Sequence, residues 1–168
     1  MKKIILMLLL LTCVLCSSCG KKETEPKDPA GKELTWETKY KNEATLDSTN
    51  LYEHSFRDDM VYVVISKIDA NVKDKVTQEK FINSFCDNYS ADNYDYTLTT
   101  ELNPNNVEVN YLSIANSEDA GTYQTNVVIF GDNCVYAVCS SFLADNEEEH
   151  KAKEEKFIYK LVDTMDFE

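Results

Sequence analysis

Two nearly unbroken apolar runs, Val127–Phe130 and Cys134–Val138, flank the triplet Gly131-Asp132-Asn133. β-Branched and aromatic residues around such a triplet predict a β-hairpin. A strand with one face in water alternates apolar and polar residues. These two do not, which predicts cover on both faces and a place at the centre of a sheet. Leu34, Trp36, Thr38 and Tyr40 do alternate with polar residues and predict a half-buried strand, with the single tryptophan on the core face. Leu51, Tyr52 and Phe56 predict a short strand, Arg57-Asp58-Asp59 a turn, and Met60–Ile68 a strand rich in β-branched residues. Tyr96–Leu102 and Val107–Ala115 predict two more strands around the turn-forming Asn103-Pro104-Asn105-Asn106. The second changes phase near Tyr111-Leu112, where a bulge is expected.

Phe81, Ile82, Phe85 and Tyr89 recur at helical spacing, with Cys86 beside them. Thr77 is the expected N-cap of this helix, and Val76 with Phe81 the expected hydrophobic staple. A second helix carries its core stripe late, at Phe157, Ile158, Leu161, Val162 and Met165. Asp145 and Glu148 have the spacing of a capping box. Glu147–Lys151 and Glu149–Lys153 are i,i+4 pairs, so the first half of this helix, His150 included, is expected in solvent. The order is strands, helix, four strands, helix. It predicts an α+β fold, a mostly antiparallel β-sheet with helices packed on its faces.

A strand leading through a polar loop into a Phe-rich helix, two hairpins, the strand VYAVCSSF and a last helix ending KFIYKLVDTMDF together resemble the PsbP-like fold. The resemblance spans about Leu34 to Phe167 and implies an α/β/α sandwich. Known members include a photosystem II extrinsic subunit, a Ran-binding nuclear protein and many bacterial lipoproteins. They act mostly as adaptors and assembly factors. The rival architecture, a cystatin-like or NTF2-like roll, leads with a helix; this chain leads with strands.

The first residues change the setting. Lys2 and Lys3 precede an apolar run beginning at Ile4, and small residues follow at Ser17 and Ser18. That is a secretory signal, shorter than the ~20 apolar residues of a membrane span. Leu15-Cys16-Ser17-Ser18-Cys19 resembles the bacterial lipobox, which implies cleavage before Cys19 and acylation of its thiol. The alternative is a signal that is cleaved without lipidation or kept as an anchor. The expected organisation is a signal peptide at residues 1–18, a lipidated cysteine and flexible tether at 19–33, and one domain at 34–168. The expected location is extracytoplasmic, lipid-anchored to a bacterial membrane.

The whole chain has 17 Lys+Arg and 30 Asp+Glu. Removing the signal removes Lys2 and Lys3 and no acid, leaving 15 basic and 30 acidic side chains, a formal charge of −15. Such a surface does not suit nucleic acid or anionic lipid. The expected partners are the membrane, through the lipid anchor, and an envelope protein or glycan.

Candidate chemistry is sparse. His54 and His150 have no second ligand at metal spacing, and no G-x-S-x-G or Gly-rich phosphate loop occurs. No metal, cofactor or catalytic residue is implied. Cleavage leaves Cys19, Cys86, Cys134 and Cys139. Cys86–Cys139 is the candidate disulfide on the expected facing, and Cys86–Cys134 replaces it if the facing is reversed; buried thiols packed as small apolar groups are the other reading. Asp92, Tyr94 and Asp95 form a candidate binding patch, against the alternative of tyrosines tucked under a sheet edge. The expected function is a non-catalytic binding or assembly module. The alternative is an envelope-polymer hydrolase using a carboxylate pair.

The lipobox resemblance is checked by intact mass. Protein from the membrane fraction should begin at Cys19 and carry acyl chains, and Cys19→Ser should release it from the membrane.

Overall fold

The computed structural model describes residues 24–41, 52–90, 95–115 and 122–168. Strands β2 (Tyr52–Asp58), β3 (Val61–Asp69), β4 (Asp95–Leu102), β5 (Glu108–Ala115), β6 (Thr122–Phe130) and β7 (Cys134–Leu143) form one antiparallel sheet. Their order is β2-β3-β7-β6-β5-β4, so β7 and β6 lie at the centre, as their unbroken apolar runs predict. Val127, Ile129, Tyr136, Val138 and Phe142 meet Phe157, Ile158, Leu161, Val162 and Met165 of the last helix on one face. Val128, Phe130 and Val135 meet Phe81, Ile82 and Phe85 of α1 (Lys75–Ser90) on the other. The fold is α+β, with helices on both faces of the sheet.

The same two-sided cover explains β5. Tyr111 joins the face under the last helix, while Leu112 and Ile114 pack with Cys86 on the α1 side. The register of β5 with both neighbours runs unbroken through Tyr111-Leu112, so the expected bulge is absent. A strand buried on both faces simply loses the alternation that a phase argument needs.

Both helix starts differ from expectation. The α1 cap is Asp74, whose carboxylate accepts from the Thr77 amide at 2.9 Å while the Thr77 hydroxyl donates to the Asp74 carbonyl at 2.8 Å. These bonds hold the Asp74 carboxyl below its ordinary range. Val76 is 59% exposed, so no staple forms. The last helix opens as α2 (Glu147–Glu154), capped by Asn146, which accepts from the Glu149 amide at 2.9 Å. Glu149 reaches back to the Asp145 amide at 2.8 Å. The box is therefore Asn146 with Glu149, one residue beyond the expected pair.

A π-helical turn, Glu155–Tyr159, follows α2 and leads into α3 (Lys160–Val162). The buried positions are 150, 153, 154, 157, 158, 161 and 162, two chains of four-residue steps. In an α-helix four residues overshoot one turn by about 40°, so such a stripe drifts away from the sheet. One wider turn brings it back. The stripe also reaches His150, Lys153 and Glu154, so the first half of this helix is buried on one side rather than solvated.

The chain ends are tied together. β1 is only Leu34–Thr35 and pairs with β8 (Asp166–Phe167) in a separate two-stranded sheet. The expected longer strand fails after Thr35, although Trp36 and Tyr40 still pack on the core. The Leu34 amide donates to the Tyr136 hydroxyl at 3.1 Å, and that hydroxyl donates to Glu33 at 2.7 Å. The end of the expected tether is laid along the domain. The Lys27 amide bonds to the Asn106 carbonyl at 2.7 Å, and its ammonium pairs with Asp166. Asn103, buried in the β4–β5 turn, donates to the carbonyls of Val162 at 2.8 Å and Met165 at 2.7 Å. It accepts from the amides of Asn105 and Val107.

The β2–β3 turn is Asp59-Met60, one position later than expected, and both residues have positive φ, 50° and 61°. That is the backbone of a type I′ turn, which favours glycine. A left-handed non-glycine residue costs about 1–2 kcal/mol, and glycine returns up to about 1 kcal/mol through chain entropy. Met60 is 66% exposed and has little packing to lose. Met60→Gly should therefore raise the unfolding free energy by roughly 0.5–1 kcal/mol in urea titration. A loss of stability would show that the methionine side chain packs.

Candidate functional site

β6 and β7 separate locally near the start of β6. Thr122 and Tyr123 pair with Leu143 and Phe142, and Val127–Phe130 pair with Val135–Val138. Between these stretches side chains supply the rungs. The Thr125 amide donates to the Ser140 hydroxyl at 3.1 Å, that hydroxyl donates to the Thr125 carbonyl, and the Ser140 amide donates to Asn126 at 3.3 Å. All three polar residues are buried. The arrangement turns the Thr125 hydroxyl toward the last helix, where it donates to Glu154 at 2.7 Å.

Glu154 is 6% exposed. The nearby Tyr159 phenol is pushed up to about 12, first by burial and then by Glu154 and neighbouring acids. One turn earlier His150 is stacked on Tyr123, with ring centroids 4.3 Å apart and planes within 12°. Phe142, the cross-strand neighbour of Tyr123, also meets the imidazole, with centroids 5.8 Å apart and planes tilted by 47°. Nε2 of His150 is buried and has no hydrogen-bond partner. Burial lowers its pKa, against the opposing pull of Glu154 and Glu147.

These groups border a cleft of about 420 Å³ between the last helix and the β4–β6 end of the sheet. Tyr96, Thr97, Ser113, Tyr123, His150 and Glu154 line it, with the exposed Glu147 and Lys151 on the helix. Glu147 and Lys151 pair at 2.7 Å, which lowers the Glu147 carboxyl. Lys153 is held at 2.9 Å by Glu149 and donates to the Leu143 carbonyl at 2.6 Å. The helix lysines nearest the cleft are therefore engaged elsewhere.

The cleft lies far from the end where the chain enters. Lys27, Gly31 and Glu33 contact Asn106, Asp132 and Glu168 respectively. Phe130 precedes the Asp132 turn, whereas Tyr123 lines the cleft. Seven residues of β6 separate them, about 23 Å at 3.3 Å per residue.

The residues singled out from sequence distribute differently. Cys19, Asp92 and Tyr94 lie outside the described residues, and Asp95 opens β4 next to Tyr96. Cys86, Cys134 and Cys139 are free thiols. Cys86 packs over β5 with Leu112 and Ile114, and Cys139 lies on β7, two strands away. Two strand spacings are about 10 Å, more than a disulfide spans. Cys134 faces the opposite side of the sheet, among the residues under the last helix. Burial raises all three thiols, which keeps them protonated. Among the described residues no group of three His, Cys, Asp or Glu side chains is arranged to hold a metal ion.

Sequence reasoning missed His150 and Glu154. The signal was present: stepping back by four from Val162 and Ile158 reaches Glu154 and then His150. No model of a known protein family matches the chain, and no curated protein sequence matches it.

His150 gives a pH test. Its folded pKa lies below the ordinary 6.5, so its contribution is complete above that value and is lost as pH falls through the folded pKa. The lowered carboxylates Glu33, Asp74, Glu147, Glu149 and Asp166 act only below their ordinary values of 4.5 or 3.8. Urea unfolding at about pH 7.5 and about pH 5 should show the wild type losing stability. His150→Phe, which keeps a ring beside Tyr123, should remove most of that loss.

Proposed function

We propose that this chain is an extracytoplasmic lipoprotein, anchored to a bacterial membrane through Cys19, whose domain is a non-catalytic binding module of the cell envelope. The observation that carries the reading is the state of the two cleft carboxylates. Hydrolysis of a glycan by a carboxylate pair needs one acid with a raised pKa facing a second carboxylate across the bond to be broken. Glu147 is instead lowered by its pair with Lys151, and Glu154 accepts from the hydroxyl of Thr125. Both stand on one helix, two turns apart, rather than on opposing walls.

The rest of the cleft suits recognition. The Tyr123 ring, small hydroxyls and an imidazole border a volume of ligand-binding size. Its distance from the entering chain turns it away from the membrane to which Cys19 would hold the domain. The resemblance to the PsbP-like family, most of whose members are adaptors, favours the same reading.

Purified full-length protein should release no product from peptidoglycan or envelope glycans. Thr97→Arg, at an exposed position on the cleft face of β4, should weaken retention of envelope components and leave Tm nearly unchanged. Turnover that disappears on Glu154→Gln with the fold intact would overturn the binding reading in favour of hydrolysis.

A further inference from the structure

We propose that the outer edge of β4 takes an extended segment of another polypeptide as a further strand, one in which apolar side chains alternate with lysine or arginine. This surface is separate from the cleft beside His150 and goes beyond the reading above. The two edges of the sheet are β2 and β4. Exposed edges invite strand addition, and proteins blunt them with bulges, basic side chains or proline. β2 has such protection: its register shifts between Tyr52 and His54, and Arg57 is exposed on it. β4 has none. Its sequence, DYTLTTEL, holds no Lys, Arg or Pro, and its register with β5 is unbroken over all 8 residues. In an antiparallel edge strand every second residue turns its amide and carbonyl outward. Among the described residues no strand pairs with that side of β4. Every residue from Tyr96 to Leu102 is exposed.

The side chains beside this edge define the strand that fits it. Leu98 lies opposite Leu112 and Tyr96 opposite Ile114, so the pleat places Tyr96, Leu98, Thr100 and Leu102 on the α1 side. Tyr96, Leu98 and Leu102 are 41%, 40% and 38% exposed, an apolar row along an open edge. Next to the row a hollow of about 380 Å³ opens between β4 and α1, bordered by Ile82, Asn83, Leu98, Thr100, Asn110 and Phe130. A strand laid along β4 sends every second side chain toward this row and hollow. Main-chain hydrogen bonds then supply affinity, and the hollow selects apolar side chains at alternate positions.

Charge defines the remaining positions. Lys75 and Glu108 at the hollow pair with each other. Glu79 on the α1 side and Glu101 on the opposite face have no ion pair among the described residues. Both are acidic, so basic side chains complement them. A second copy of the chain fits less well, because its own β4 brings no base and its charge is strongly negative.

The test titrates detergent-solubilised full-length protein with the acetylated, amidated peptide KVKVKVK and with its acidic counterpart EVEVEVE. Anisotropy of the labelled peptide reports binding, and amide hydrogen exchange reports protection of β4. The basic peptide should saturate with Kd below about 1 mM and slow exchange in β4, and the acidic one should bind at least about tenfold more weakly. Two further forms of KVKVKVK, N-methylated at every valine or at every lysine, keep its charge and side chains. One should lose binding and the other keep it, because only alternate amides face β4. This comparison uses the unaltered protein. Leu98→Lys, at an exposed position, should weaken KVKVKVK about tenfold with Tm nearly unchanged. Absence of saturation up to about 10 mM, equal affinity of the two N-methylated forms, or equal affinity of the acidic peptide overturns the proposal. Protection of β4 by self-association without peptide also overturns it and assigns the edge to a second copy. None of these results touches the reading of the cleft.

Discussion

The fold depends on covering β6 and β7 on both faces. These strands expose apolar side chains up and down along most of their length, and neither face can be left in water. Each fully buried Val, Ile, Leu or Phe stabilises the fold by about 1.5–3 kcal/mol relative to exposure, so two layers of helix are required. Phe81, Ile82 and Phe85 cover one face, and the stripe from Phe157 to Met165 covers the other. The π-helical turn follows from the same demand, because only a wider turn keeps a four-residue stripe on a flat partner over this length. The short pairing of β1 with β8 then closes the end of the sheet from which the chain enters.

The largest group of buried polar residues between β6, β7 and the last helix comes as a set. Thr125, Asn126 and Ser140 interrupt the central ladder and replace its rungs with their own side chains. That substitution lets a hydroxyl leave the sheet and reach Glu154. Each member is satisfied by another, which is the condition under which buried polar groups do not destabilise a core. Two side-chain atoms among the described residues depart from that rule, the Tyr40 hydroxyl and Nε2 of His150, and the second lies beside the cleft.

Much of the framework was legible in the chain. The central hairpin follows from two unbroken apolar runs, and the two helices from spacing. Misses arose where two local signals compete within a few residues. Asp74 and Thr77 are both good caps, and the residue with the free carboxylate won while the other became its partner. Asn146 outcompeted Asp145 in the same way. The pairing of β1 with β8 was invisible because two residues carry no period. At His150 and Glu154 the polar side chain and the position in the stripe predict opposite environments, and position decides. The cleft itself draws on three strands and a helix far apart in sequence, and the patch at Asp92 and Tyr94 was chosen from local composition alone.

The β1–β8 ladder joins residue 34 to residue 167, so one of the first stretches of the domain waits for nearly the last. Tyr136, Lys67 and Glu33 are assembled around that junction, and Asn103 is satisfied only when Val162 and Met165 are in place. A nascent chain lacking its final residues cannot complete this domain, whatever length has already been synthesised. For a polypeptide bound for secretion, as proposed above, such late closure has a use: the domain remains threadable until its β8 residues are made, and assembles once they have arrived on the far side.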